Sequence, residues 1–467
     1  MRVRLSLFVI SAIFAAKSFA AEPVIGFLSP RSLVPGKTNV IKITGKLAPK
    51  DDEPRFWTSF PCDISIELPN EKRKSSEVRA TIVPKVGLTG YGAVRVYSRE
   101  GVGIPCLIRF DEDPKGFDFT VSEGKAHLHK FAAEKGQHLE FELFAQRLHS
   151  AMDGVMTLLD AQDNELAFAD DSEQIGTDPV LRYLFHQDGE YCLKIHDVQW
   201  RGGIHGHLGI GEWNTPVEES ATCNAEESDE PIPVTLPHQV ISRFDEPGDS
   251  DIYRIQLQAG DYLTVTPTGT ALALLDLNLH GRRLKRAGTG DSDNEPLRFH
   301  VAKDGEYELT VRELLGRADI PYTLDLRTDI APFAAQVIAN GRKNDRNTGK
   351  PGSKVEVKIR CTRFGYDGPI EIKAFGSKGE YKVEKGTFEK KKTVESVFVV
   401  LPKELPENEL EVLHLKAVCK IDDQEFAAKV GTGELARQKY KHISHYPDWL
   451  DGQVLVSVLP KSKAKKK

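Results

Sequence analysis

The stretch from Leu158 to Asp171, LLDAQDNELAFADD, concentrates carboxylate side chains that could bind a metal ion. Asp160, Asp163, Asp170 and Asp171 offer hard oxygen ligands, and calcium takes about six to eight such ligands at roughly 2.3 to 2.6 Å. The spacing lacks the D-x-D-x-D-G pattern of an EF-hand loop, and Asp and Asn also stabilise turns through local hydrogen bonds. We therefore expect a structural turn and no cofactor, and binding of calcium by the four aspartates is the alternative.

Histidines and tryptophans form further candidate sites. His205 and His207 are two positions apart, so on a strand their side chains share one face, and His196 could lie on a neighbouring strand. Such a face could hold a transition metal, and ordinary packing is the alternative. Trp200 and Trp213 could line a sugar site or pack at a sheet edge.

Catalytic motifs that can be recognised in a sequence do not occur here. The chain has no G-x-S-x-G elbow, no H-E-x-x-H, no phosphate-binding loop and no dinucleotide-binding glycine pattern. The absence of these motifs does not exclude a hydrolase whose active site is assembled from residues scattered along the chain. We expect a protein without enzymatic activity.

Charge and the chain ends restrict where the protein acts. A net charge of -6 argues against nucleic-acid binding, because phosphate contacts need clustered Lys and Arg. The tail KSKAKKK is either a solvated end or an attachment to an anionic cell surface.

The start of the chain has the pattern of a secretory signal. Arg2 and Arg4 precede an apolar run and the small-residue site Ser18-Phe19-Ala20, which predicts removal of the signal after Ala20. No later segment is apolar over the roughly 20 residues of a membrane helix, so we predict a secreted or periplasmic protein without a transmembrane segment.

Short apolar runs separated by Gly, Pro, Asp and Asn indicate an all-β chain. Runs such as VIKITG, LEFELF and VEVKIR have strand length, and long stretches of helical period are absent.

The cysteines fall in pairs along the chain. In an exported protein this spacing predicts one disulfide per module, with a zinc site as the weaker alternative. The expected pairs are Cys62 with Cys106, Cys192 with Cys223, and Cys361 with Cys419.

The middle of the chain contains a repeat. LRYLFHQDGEYCLKIHDV from Leu181 aligns without a gap with LRFHVAKDGEYELTVREL from Leu297, and LLDAQDNEL matches LLDLNLHGRRL further upstream. Each copy is about 95 residues long, and a duplication is the simplest explanation. Asp-Gly turns should join strands in both copies, with Tyr191 and Tyr307 starting inward-facing strands. The second copy replaces the acidic pair with Lys285 and Arg286, or moves it to Asp291 and Asp293.

The order of these motifs resembles the bacterial pre-peptidase C-terminal (PPC) domain. The matching residues of the first copy are Gly136, Leu158-Leu159-Asp160, Asp170-Asp171, Leu181-Arg182-Tyr183, Asp188-Gly189-Glu190-Tyr191, Asp197 and Gly202-Gly203. Those of the second copy are Gly260-Asp261-Tyr262-Leu263, Leu274-Leu275-Asp276, Leu297-Arg298-Phe299, Asp304-Gly305-Glu306-Tyr307 and Tyr322-Thr323-Leu324. The resemblance implies a jelly-roll-like sandwich without catalytic activity, and some relatives bind calcium or an extracellular polymer.

The flanking segments resemble immunoglobulin-like domains, through SPRSLVPGKTNVIKITGKL near the start and PGSKVEVKIRCTRFGYDGPIEIKAFG near the end. The expected organisation is a signal peptide (1–20), an immunoglobulin-like domain (22–113), a first PPC-like sandwich (114–214), an acidic linker (215–236), a second PPC-like sandwich (237–329), an immunoglobulin-like domain (330–433), and a C-terminal strand with a basic tail (434–467). We therefore expect an exported binding or scaffolding protein whose partner is an extracellular polymer or protein. The alternatives are an accessory chain of a secreted peptidase or cryptic hydrolase, and a carbohydrate-binding protein.

Overall fold

The computed structural model describes residues 22–67, 76–111, 116–148, 150–171, 178–212, 230–269, 271–288, 295–340, 347–439 and 446–461. The predicted signal peptide, Trp213, Cys223 and most of the predicted acidic linker lie outside these ranges. Strands dominate the described residues, as expected for an all-β chain. None of the helical segments in these ranges has the length and apolar character that a membrane crossing needs.

The first module is a two-sheet sandwich with the strand order of an immunoglobulin domain. Its strands are β1 (Val24–Ser29), β2 (Ser32–Leu33), β3 (Asn39–Lys46), β4 (Arg55–Thr58), β5 (Cys62–Glu67), β6 (Glu77–Pro84), β7 (Gly90–Ser98), β8 (Gly101–Val102) and β9 (Cys106–Phe110). One sheet has the order β1-β3-β6-β5 and the other β2-β9-β7-β4, with β8 paired to β7. These orders correspond to the A-B-E-D and G-F-C sheets of immunoglobulin sandwiches.

The second module is an eight-stranded sandwich. It contains β10 (Phe117–Val121), β11 (His127–Ala133), β12 (His138–Phe144), a 3₁₀ turn (Gln146–Leu148), β13 (Gly154–Leu159), β14 (Glu165–Ala169), β15 (Val180–Leu184), β16 (Gly189–Asp197) and β17 (Ile204–Glu212). The two sheets have the orders β10-β17-β12-β15 and β11-β16-β13-β14. Consecutive strands mostly alternate between the sheets, which is the jelly-roll arrangement expected for this segment.

The third module has the same connectivity with one added edge strand. Its strands are β18 (Ile232–Val234), β19 (His238–Phe244), β20 (Ser250–Leu257), β21 (Tyr262–Thr268), β22 (Ala273–Leu279), β23 (Arg282–Ala287), β24 (Leu297–His300), β25 (Gly305–Glu313) and β26 (Ile320–Arg327). The sheet orders are β19-β26-β21-β24 and β18-β20-β25-β22-β23. The repeat seen in the sequence is therefore also a repeat of topology.

Two hydrogen bonds recur at matching positions of the repeat. The backbone N–H of Lys135 donates to Asp188 Oδ1 at 2.7 Å, and that of Ala259 donates to Asp304 Oδ1 at 2.7 Å. The hydroxyl of the buried Tyr191 donates to a carbonyl four residues earlier, and the buried Tyr307 does the same. In both copies the Asp-Gly turn connects strands of opposite sheets, so these bonds set the corner between the two layers.

The fourth module extends to the end of the described chain. It contains β27 (Phe333–Val337), β28 (Thr348–Gly349), β29 (Lys354–Arg363), β30 (Ile370–Gly376), β31 (Gly379–Tyr381), β32 (Val383–Glu384), β33 (Thr387–Phe388), β34 (Val394–Val400), β35 (Leu410–Ile421), β36 (Gln424–Gly431), α1 (Gly433–Lys439) and β37 (Gln453–Val458). The order β27-β29-β34-β32 again matches an A-B-E-D sheet, and β36, β35 and β30 pair as a G-F-C sheet. β37 pairs with β35, so this last strand belongs to the fourth sandwich although it follows the predicted boundary at residue 433.

Three modules meet in one apolar cluster. It combines Ala93 and Leu107 of the first module, Phe144 and Leu148 of the second, and Tyr446 and Leu450 of the fourth. Strands β7 and β37 are buried on both faces, because one face packs in its own sandwich and the other lies against the neighbouring module. The first module is thus held between the second and the fourth.

Candidate functional site

The structure separates the four aspartates proposed as calcium ligands. Asp160 and Asp163 lie in the turn between β13 and β14, whereas Asp170 and Asp171 follow the far end of β14. β14 is five residues long, and a strand advances about 3.3 Å per residue, so the two pairs are about 15 Å apart. One ion cannot bind all four, and no group of three potential metal ligands occurs in the part of the chain that the structure describes.

Asp160 forms the turn instead. Its Oδ1 accepts hydrogen bonds from the backbone N–H groups of Gln162 at 2.8 Å and Asn164 at 2.9 Å, and its Oδ2 accepts one from the Asn164 side chain at 2.9 Å. These bonds, led by the one from the Asn164 side chain, lower the pKa of Asp160. Asp163 has a left-handed backbone with φ of 63°, a conformation that Asp tolerates in turns.

The second acidic pair faces a different carboxylate. Burial raises the pKa of Asp171, and the charge of Asp170 raises it further. Burial likewise raises the pKa of Asp153, which precedes β13, and the charges of Asp170 and Asp171 raise it further.

The second copy of the repeat has an ion-paired aspartate at the position of Asp160. This residue, Asp276, binds Arg286 and Arg312 through its carboxylate, with shortest distances of 2.6 and 2.7 Å. Asp291 and Asp293 lie outside the described residues.

The histidines do not converge on a metal. His205 and His207 lie on β17, but His196 lies on β16 in the opposite sheet and stacks on Trp200 with ring centroids 4.0 Å apart. The Nδ1 atom of His205 lies 2.7 Å from the Thr120 hydroxyl.

His207 takes part in the contact between the first and second modules. Its Nδ1 lies 2.8 Å from Asp118, whose carboxylate also accepts the Ser29 hydroxyl at 2.7 Å and the Arg31 backbone N–H at 3.0 Å. Burial raises the pKa of Asp118, but the hydrogen bonds from His207 and Ser29 outweigh it and leave the pKa lowered. His207 therefore helps to join the two modules. In the sequence, a histidine pair at positions i and i+2 does not distinguish such a structural contact from a metal site.

Two buried acids close equivalent corners of the repeat. Asp197 and Glu313 end β16 and β25, and each forms an ion pair with an arginine four residues later, Arg201 at 2.7 Å and Arg317 at 2.8 Å. Each carboxylate also accepts backbone N–H groups of the turn that follows. Neither ion pair was predicted from the sequence. The pattern that could have indicated them, an acidic residue followed by Arg four positions later, occurs in both copies.

The predicted disulfides need correction, because five of the six cysteines are free thiols. Cys62 lies on the edge strand β5, Cys106 lies on an inner strand of the other sheet, and no disulfide joins them. The Cys361–Cys419 pair is also not formed, although both side chains are buried in the core of the fourth module. Cys192 is free as well, and its expected partner Cys223 lies outside the described ranges.

A cavity of about 70 Å³ lies between the first and fourth modules. Arg95 of β7 and the segment Val102–Pro105 form one side, and Tyr446 and Gln453 contribute to the other. The Arg95 guanidinium donates through Nη2 to the Tyr446 hydroxyl at 2.9 Å and through Nη1 to the Gly103 carbonyl at 3.3 Å.

The sequence did not predict this cavity, because its two walls are more than 200 positions apart in the chain. The nearest signal is Arg95 within GYGAVRVYS, a charged residue in a strand whose apolar residues occupy both faces. Val94 and Val96 pack in the first module, so Arg95 points to the opposite face, where the fourth module covers it to 7% exposure.

Comparisons with known proteins find only partial structural similarity. No family model matches the chain, and a search of curated proteins finds no match. Among solved structures, a glycosyl hydrolase family 2 member from Bacteroides cellulosilyticus DSM 14838 is 14% identical, with a TM-score of 0.22, over 39% of this chain and 28% of that one. A Bifidobacterium dentium beta-glucuronidase complexed with coumarin-3-O-glucuronide is 12% identical, with a TM-score of 0.22, over 40% of each chain. The chain therefore spans less than half the length of either structure.

Proposed function

We propose that this chain is an exported, non-catalytic binding or scaffolding protein of the cell surface or periplasm. The observation that carries the proposal is the apolar junction shared by the first, second and fourth modules. Modules joined by flexible linkers move independently, whereas modules that share a core hold their outer surfaces at set positions. Such a frame suits a protein that presents binding surfaces.

Polar contacts strengthen the same junction. Arg31 of the first module donates through Nη1 to the carbonyl of Leu148 in the second module at 2.5 Å. Ser457 of the fourth module donates to the carbonyl of Ser98 in the first at 2.9 Å, and both side chains are buried. Buried bonds of this kind are costly to break, because each leaves an unsatisfied group behind.

The buried carboxylates support a non-catalytic role, because they are engaged in holding turns. Asp178, for example, is 1% exposed and accepts hydrogen bonds from Arg147 and from the backbone N–H groups of residues 145–147. A general acid or base must reach a substrate, and a buried carboxylate whose oxygens are occupied by arginine and backbone amides does not. The PPC assignment of the two jelly rolls forms part of this proposal, supported by the quoted motifs and the repeated strand order.

Small-angle X-ray scattering of the mature chain tests the frame. We expect one compact particle whose dimensions do not change between low and high salt. Leu450→Ala removes a fully buried side chain from the junction, which costs about 2 to 5 kcal/mol, and should expand the particle. Leu128→Ala is the matched control, because Leu128 is 56% exposed on β11. A wild-type chain that scatters as independent beads contradicts the scaffold.

Binding and export are tested separately. A pull-down with the mature protein against extracellular material from its source should capture a polymer or protein, and turnover of a peptide or glycoside substrate would contradict the non-catalytic role. Mass spectrometry should find a mature N-terminus at Ala21, and a mature chain beginning before Lys17 would refute the predicted signal peptide.

A further inference from the structure

Strand β23 of the third module concentrates positive charge at the edge of its sheet. Four of its six residues are basic and exposed, namely Arg282, Arg283, Lys285 and Arg286. β23 is the last strand of the five-stranded sheet, next to β22. At about 3.3 Å per residue, the four cations follow this edge over about 13 Å.

A buried carboxylate holds the arginines on the outer face of this sheet. Asp276 accepts hydrogen bonds from Arg286 Nε at 2.7 Å and Nη2 at 2.6 Å, and from Arg312 Nη2 of β25 at 2.7 Å. Arg283 Nη1 lies 3.8 Å from the same carboxylate. The side chains of Arg283, Arg286 and Arg312 are 53%, 35% and 42% exposed. Each guanidinium has five N–H donors, so Asp276 fixes the arginines and leaves most of their donors available.

Positive charge exceeds negative charge at this edge, although the whole chain has a net charge of -6. The three arginines around Asp276 leave two positive charges after that carboxylate is counted, and Arg282 and Lys285 add two more. Two acids of β25 lie in the same sheet. Glu306 is occupied by an ion pair with an arginine of β20 at 3.1 Å, and Glu308 is separated from β23 by β22.

Protection of a free edge does not by itself explain this strand. Charged side chains on an edge strand hinder its pairing with another chain. The last strand of the equivalent sheet in the first copy is β14, ELAFA, which has one carboxylate, no basic residue and an exposed Phe168. The same fold therefore forms this edge without cations, whereas the cations of β23 repel one another. Binding of an anion would offset that repulsion.

The arrangement of the cations indicates the kind of anion. The Arg286 guanidinium binds the Asp276 carboxylate through two parallel hydrogen bonds, which is the geometry that arginine forms with carboxylates in general. One carboxylate occupies one such fork, but the cations extend along about 13 Å of strand. A chain with a carboxylate on each unit matches this length better than a single small ion.

Other anionic polymers match the surface less well. Nucleic acid has a dense row of phosphates that the net charge of -6 would repel, and β23 has no aromatic ring on which a base could stack. An anionic membrane is a flat negative surface, and Glu306 and Glu308 in the same sheet would face it.

We propose that the basic edge formed by β23 and Arg312 binds an acidic polysaccharide whose sugar units carry carboxylates. The proposal rests on the binding role proposed above and names the class of partner. The two can fail separately, because the binding role is tested by capture from extracellular material and the basic edge by a purified polymer.

Biolayer interferometry of the mature full-length chain on immobilised alginate tests the proposal. We expect saturable binding that weakens as the sodium chloride concentration rises, because salt screens exposed charges, and no binding to neutral dextran. The triple variant Arg282→Gln, Arg283→Gln and Lys285→Gln keeps the Arg286–Asp276 pair. It should weaken binding about tenfold, the loss of about three surface charge pairs.

A second triple variant is the matched control. Lys390→Gln, Lys403→Gln and Lys420→Gln remove the same charge from exposed positions of the fourth module and should leave the affinity unchanged. Arg283→Gln alone, which removes only the contact at 3.8 Å, should also weaken binding and serves if the triple variant does not fold.

The results that would overturn the proposal are distinct. Alginate binding that the β23 variants do not change would overturn the location of the site. Binding of only dextran sulfate, or tighter binding of DNA or phosphatidylserine vesicles than of alginate, would overturn the partner class. No binding to alginate by a chain that captures another extracellular partner would overturn the proposal and leave the binding role standing.

Discussion

Replacing Asp197 with Asn should destabilise the corner of the second module. Asp197 is fully buried, and its carboxylate accepts hydrogen bonds from the Arg201 side chain at 2.7 and 2.9 Å and from the Asp153 backbone N–H at 3.0 Å. Burial raises the pKa of Asp197, but these bonds outweigh burial and lower it to about 2. Asn keeps the shape and removes the charge that the donors require.

The shift in pKa sets the magnitude. A carboxyl group with a pKa of 3.8 when unfolded and about 2 when folded contributes about 2 kcal/mol to the free energy of unfolding. Because the folded pKa is the lower one, this contribution is fully present above about pH 4 and is lost as the pH falls towards 2. The uncharged Asn side chain resembles the protonated carboxyl group, so the Asp197→Asn variant should lose about 2 kcal/mol at pH 7 and little at pH 2.

Hydrogen exchange read by mass spectrometry measures this locally in the full chain. The backbone N–H groups of Asp153, Gln199 and Arg201 bond to Asp197, so peptides covering 151–157 and 198–203 report on the corner. Their exchange should be about 30-fold faster in the variant at pH 7, the factor that corresponds to about 2 kcal/mol. Peptides from the third module should not change.

The control is Asp63→Asn, which removes a carboxylate that is 80% exposed on β5. Its exchange should equal that of the wild type. Unchanged protection of the corner peptides in Asp197→Asn, or an equal loss at pH 7 and pH 2, would show that the ion pair with Arg201 does not stabilise the folded corner.

Three further outcomes are expected. Gly202→Ala should destabilise the second module in thermal melting, because a Cβ there would lie 2.2 Å from the backbone nitrogen of Glu123, and a variant melting like the wild type would contradict this packing. Tyr307→Phe removes the hydroxyl that donates to the Lys303 carbonyl at 2.8 Å and should cost about 1 kcal/mol in denaturant unfolding, with no loss if that bond is not formed. Millimolar calcium should leave the melting temperature unchanged relative to chelator, because the four candidate aspartates lie at opposite ends of β14, and a clear rise would restore a calcium site.

The repeat shows which structural features could be predicted from the sequence. Alternating apolar residues and Asp-Gly turns predicted the strands, because side-chain alternation and turn chemistry are local properties. Tyr191 and Tyr307 are buried at the start of β16 and β25, as expected from their positions after those turns. The spacing of the candidate calcium ligands did not show their separation, because Asp160 and Asp170 are only ten positions apart in the chain but lie at opposite ends of strand β14.

The sequence by itself determined the all-β class, the duplicated middle and the succession of sandwiches, because each depends on patterns within about a hundred residues. Only the tertiary structure decided which chemistry-bearing residues meet. Asp118 meets Ser29 and His207 across one module boundary, and Arg95 meets Tyr446 across another. Such contacts form when folded sandwiches pack against each other. The residues that meet there follow no periodic pattern in the sequence, so sequence patterns do not predict them. The cavity between the first and fourth modules exists for the same physical reason.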